Sequence, residues 1–193
     1  MRRAVLILGL ATLLASPVLA ADSVPARLDA ARIAHARGDL ARAAMELEAA
    51  VAELQGRLGR QLAEFLPPPL AGWQADAVET HSLAGSGGGL AVTRAYGRDD
   101  GTLNISLIID SPAVSAATSQ LAAFPQPNAR KVAVGNEEAV LRWDPQGRNG
   151  EVLMVLGARV LLQIEGDNLP NGEVLSDAAK GWNLGGIRKA LPQ

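Results

Sequence analysis

Three consecutive prolines, Pro67-Pro68-Pro69, constrain this chain more than any other feature. None of them donates a backbone hydrogen bond and each fixes φ, so neither a helix nor a central strand runs through them. They separate two kinds of sequence. Pro25 to Leu66 is rich in Ala, Leu, Arg and Glu, whereas β-branched residues, glycines and turn signals dominate after residue 69. The chain therefore reads as a helical segment over 21–66 and a second domain over 67–193.

In the helical segment Pro25 suits a first turn, Gly38 ends one helix, and Asp39 caps the amides of the next. Along that second helix Leu40, Ala44, Leu47, Val51, Leu54, Leu58, Leu62 and Phe65 recur at spacings of four and three, which sets them on one stripe. Gly56 and Gly59 weaken the helix by about 1 kcal/mol each relative to Ala, where exposed. A stripe of this length exceeds what the first helix need cover. Leu47, Val51, Leu54 and Leu58 are therefore the expected partner-binding residues, toward another envelope protein or a second copy of the chain.

Arg37-Gly38-Asp39-Leu40-Ala41-Arg42-Ala43-Ala44, with Ala31 before it and Ala49-Ala50 after it, resembles the turn of a tetratricopeptide helical hairpin. The likeness spans about one repeat and lacks the large aromatic positions of the first helix. Stacked repeats need about three units to bury a continuous core, so one copy implies a hairpin and no solenoid.

Beyond the prolines, strands are expected over Trp73–Leu83, Leu90–Tyr96, Leu103–Ile109, Arg130–Val134, Ala139–Trp143, Val152–Leu156 and Val160–Ile164. Short turns join most of them, which requires antiparallel neighbours. A helix follows Ser111-Pro112 to about Phe124, and another covers Asn171–Leu191, with Ser176 or Asp177 as an internal restart. The fold class is α+β: a helical hairpin, then an antiparallel sheet of about seven strands with helices packed on it. The element order over 70–191, with Gly72-Trp73 at the first strand and Ile108-Ile109-Asp110-Ser111-Pro112 at the first helix start, resembles the PsbP-like α/β/α sandwich group. That resemblance implies a non-catalytic accessory or binding protein.

Composition removes several chemistries. With no Cys among 193 residues, a disulfide scaffold, a thiolate nucleophile and a cysteine-ligated metal are excluded for a single chain. Arg2-Arg3, the apolar run to Ala15 and Ser16-Pro17-Val18-Leu19-Ala20 have the parts of a secretory signal over 1–20, cleaved after Ala20. Twelve apolar residues reach about 18 Å, short of a hydrocarbon core of about 30 Å, so no stable membrane span is expected after cleavage. Loss of Arg2 and Arg3 leaves 16 Lys+Arg against 20 Asp+Glu, a net charge of −4, which argues against nucleic acid. The expected location is the periplasm.

Few residues carry site chemistry. Gly85-Ser86-Gly87-Gly88-Gly89 has no Lys and precedes a strand, so it reads as a flexible hairpin loop and not a phosphate cradle. His35 and His81 form no ligand pair, and neither Asp99-Asp100-Gly101 nor Asp167-Asn168 has calcium-loop spacing, so no metal and no cofactor are expected. Ser86, Ser106 and Ser111 lie outside hydrolase motifs. Arg94 and Tyr96, two apart on a strand, share a face; with Trp143 they would hold an anionic or amphipathic ligand. The leading expectation is a secreted, non-enzymatic interaction protein without catalytic residues. A ligand module on the sheet face, and a hydrolase using Ser and His81, are the rivals.

Overall fold

The computed structural model describes residues 23–191; the expected signal over 1–20 lies outside them. The chain divides into two compact units between Val51 and Ala52. In the first, α1 (Val24–Ala36) starts at Ser23, whose Oγ accepts from the Ala26 amide at 3.4 Å. Gly38 turns the chain at φ 77°, and Asp39 Oδ1 then accepts from the Arg42 amide at 3.0 Å to open α2 (Leu40–Ala63). Arg27 and Glu46, 3.7 Å apart, link the two helices.

Among the described residues, the second unit holds the last turns of α2, eight strands and three further α-helices. The strands are β1 (Gln74–Ala75), β2 (Glu79–Ser82), β3 (Leu90–Arg98), β4 (Gly101–Ile109), β5 (Ala129–Val134), β6 (Glu137–Asp144), β7 (Asn149–Leu156) and β8 (Val160–Asp167). The helices are α3 (Pro112–Ala122), α4 (Glu173–Lys180) and α5 (Leu184–Ala190). The sheet runs β1-β3-β4-β8-β7-β6-β5, with β2 also on β3, and every pairing is antiparallel. Antiparallel strands explain the short loops. The one long crossover, from central β4 to edge strand β5, carries α3.

Alternation assigns the faces. Leu103, Ile105, Leu107 and Ile109 of β4 stand level with Gly166, Ile164, Leu162 and Val160 of β8, and all face the main core. That face is closed by Leu175, Ala178 and Ala179 of α4, Ile187 of α5, and Leu62 near the end of α2. The opposite face is apolar at one end only. There Val114 and Ala117 of α3 pack on Leu153 and Leu161, with Ile108 and Val155 beside them. Its other end is polar.

The sheet's core reaches upstream of the three prolines, because Leu62 and Leu66 are buried in it. Gly59 permits this approach: a Cβ there would lie 2.5 Å from Thr80 Cγ2. The prolines are themselves fastened, since the Tyr96 hydroxyl donates to the Pro67 carbonyl at 2.6 Å.

Two expectations change in detail. The strand expected over Trp73–Leu83 is two strands, β1 and β2, and between them the Asp76 carbonyl accepts from Arg94 Nε at 2.8 Å. The terminal helix breaks at Gly181–Asn183, not at Ser176 or Asp177; Ser176 is buried, and Asn183 Oδ1 restarts the helix by accepting from the Gly186 amide at 2.9 Å. The glycine run is the expected hairpin loop, between β2 and β3, and its seat is specific. Gly87, Gly88 and Gly89 all have positive φ, and a Cβ on Gly89 would lie 2.3 Å from the Ile109 carbonyl oxygen, so the loop is seated on the β4–α3 corner.

Candidate functional site

The stripe on α2 changes character along the helix. Leu40 is 65% exposed, Leu47 48%, Val51 51% and Leu54 51%; Leu58 is half-buried against the sheet's core, and Leu62 is fully buried in it. One run of leucine-like spacing thus does two things, anchoring the helix at its C-terminal end and leaving an apolar seam open to solvent before that. Of the four expected partner-binding residues, Leu47, Val51 and Leu54 lie on the open seam and Leu58 at its closed end. Charges on the other faces of the helix are locally matched, with Arg42 to Glu46 at 3.3 Å and an Arg57–Glu53 hydrogen bond. Exposed ion pairs of this kind add little stability.

Arg94, Tyr96 and Trp143 do share one face of the sheet, but they do not meet. Tyr96 stands level with Leu103, Leu103 with Gly166, Gly166 with Gly150, and Gly150 with Trp143. Four strand steps of about 4.8 Å put Tyr96 and Trp143 about 19 Å apart. The row lies on the core face, where Leu169 and Leu175 fill the room left by the two glycines. The expected three-residue ligand site is therefore corrected: strand order separates its members, and the face they share is packed.

What surrounds each member is different. Arg94 lies over the Tyr96 ring at 5.9 Å, and burial pushes the Tyr96 hydroxyl pKa up despite that guanidinium, so the group is a neutral donor. The tryptophan that does meet an arginine on this strand is Trp73, with Arg98 at 5.3 Å from its ring. Next to it is a cleft of about 490 Å³ that includes Asp76, Tyr96, Arg98 and Thr102.

Trp143 instead lines a cleft of about 540 Å³ with Arg142, Asp144, Glu151, Glu165 and Asp167. Arg142 bonds Glu151 across the strands and donates to Gln126 Oε1 at 3.2 Å. Glu165 stands level with Glu151 on β8 and accepts from Gln163 at 2.9 Å. None of these carboxylates was expected in a site. Their only sequence signal is alternation, as with Glu165 and Asp167 two apart on β8, and it says nothing about the neighbouring strand.

The other candidates have local roles. Ser111 Oγ caps α3 by accepting from the Ala113 amide at 3.3 Å, and Ser86 ends a short 3-10 turn. His81 Nε2 lies 3.1 Å from Glu79 Oε2, both exposed on β2, and His35 is exposed in the last turn of α1. Asp99 sits at φ 54° in the β3–β4 turn. Asn168 Nδ2 donates to the Asp100 carbonyl at 3.4 Å, tying that turn to the end of β8. Among the described residues no group of three or more His, Cys, Asp or Glu is placed to hold a metal ion, and no helix is long and apolar enough to cross a membrane.

No family model matches the chain, and no curated protein and no solved structure matches it either.

Proposed function

We propose that this is a secreted, periplasmic, non-enzymatic protein that works by docking through its second helix. The observation that carries the reading is the seam of Leu40, Leu47, Val51 and Leu54, each about half exposed or more on a helix whose next apolar residues are tied into the sheet. Contiguous exposed apolar surface of this kind marks an interaction site, because its hydration is a standing cost that docking removes. The resemblance of the element order over 70–191 to the PsbP-like accessory proteins is in keeping with the same reading.

A photo-activated crosslinking side chain at Val51, introduced in cells, tests it. The reading expects a discrete crosslinked protein product at Val51 and none at Glu165, which is exposed on the sheet. Equal products at both positions, or none at Val51, would remove it. The cleft beside Trp143 favours a second reading, a small-ligand module, in which a bound molecule raises thermal stability in the wild type and not in Trp143→Ala.

A further inference from the structure

We infer that the occupant of the α2 seam is a second copy of this chain, paired α2 to α2; the inference rests on the docking reading above and names its partner. Written as heptads, Ala44, Val51 and Leu58 take the a positions and Leu40, Leu47 and Leu54 the d positions, without a polar interruption. A repeat of 3.5 residues is the spacing that keeps side chains aligned on a neighbouring helix, and a helix with that seam is matched by another that has it. A second copy always does.

Charge points the same way. Of the e and g positions that flank the seam over 41–57, Glu48 and Arg57 carry charge, one of each sign, and the others are Ala or Gln. A partner recognised by opposite charge would need a flank of one sign, whereas a copy needs a flank that does not repel itself. Four exposed side chains per copy are less than a standard-size interface buries, so the association is weak and reversible. The pair is therefore a twofold, self-complementary dimer of modest affinity.

Sedimentation velocity over a concentration series, on the protein purified after secretion from its full-length gene, tests this. The expected result is a reversible monomer–dimer equilibrium. Leu47→Glu with Leu54→Glu should weaken it by about a hundredfold or more, while Ile33→Glu, which alters an exposed apolar residue of α1, leaves it unchanged. Circular dichroism should be the same for all three. A wild type that stays monomeric throughout, or a dimer indifferent to the seam substitutions, overturns the inference. If that monomer still gives the Val51-specific crosslink to a different protein in cells, docking through α2 stands and only the second copy falls; if it gives neither, both fall.

Discussion

Tyr96 and Trp143 stand in one cross-strand row on the core face of the sheet, four strands apart, with Gly166 and Gly150 between them. The glycines are the reason the row is filled and not open, because Leu175 reaches across both and Leu169 packs on Gly166.

Adding a methyl group to this row should destabilise the protein in a defined order. At Gly166 a Cβ would meet the ends of Leu169, Leu175 and Leu103 at 2.5–3.0 Å, all of which are movable side chains. At Gly150 it would meet the Arg142 carbonyl oxygen at 2.3 Å, which is backbone. Gly166→Ala should cost about 1–3 kcal/mol and Gly150→Ala more, measured by urea denaturation. Equal or negligible losses would mean the row is loosely packed.

The glycine loop offers a contrast between neighbours. Gly89 sits at φ 100° with the Ile109 carbonyl where its Cβ would go, whereas Gly85 has open space around it. Gly89→Ala should lose about 3 kcal/mol, and Gly85→Ala should stay within about 0.5 kcal/mol of wild type. Thermal and urea melts of the two variants check this.

Tyr96→Phe removes the donor to the buried Pro67 carbonyl and should cost about 1–2 kcal/mol in the same assay. A neutral outcome would mean that water replaces the hydroxyl.

Acid should release a corner of the fold. Arg159 grips both Asp110 oxygens, at 2.7 and 2.8 Å, and chiefly that hydrogen bonding holds the Asp110 carboxyl below its ordinary 3.8. Because the folded pKa is the lower one, the contribution is complete well above pH 3.8 and fades as the pH falls through that value and below. The pair is exposed, so the effect is small. Asp110→Asn should melt lower than wild type at pH 7, and the gap should close in acid, once the pH is below the lowered pKa of the folded carboxyl. A gap that persists in strong acid would assign the loss to something other than the ion pair.

Much of this architecture was legible residue by residue. The alternation of Leu103, Ile105, Leu107 and Ile109 marks β4 and its buried face, and Gly38-Asp39 marks the turn between α1 and α2. What was not legible depended on strand order. Nothing in the residues of β4 says that β8 lies beside it, so nothing says that Tyr96 and Trp143 end up about 19 Å apart or that Glu151 and Glu165 face each other. The glycine run was legible as a hairpin loop, but where it seats was not. Its purpose is set by the Ile109 carbonyl, twenty residues downstream, and not by its own composition. The internal restart was read at Ser176 or Asp177; Ser176 is buried instead, and the helix restarts at Asn183. The α2 stripe was read from spacing alone, and spacing does not say that it is open as far as Leu54 and closed from Leu62.

The most direct test of docking by α2 onto a second copy is a native mass spectrum of the protein purified gently from its own cells. The account predicts a species of twice the chain mass that dissociates to the monomer on mild activation and disappears in the Leu47→Glu, Leu54→Glu variant. A monomer carrying a few hundred daltons of bound small molecule, with no dimer at any concentration, would contradict it and direct attention to the cleft beside Trp143.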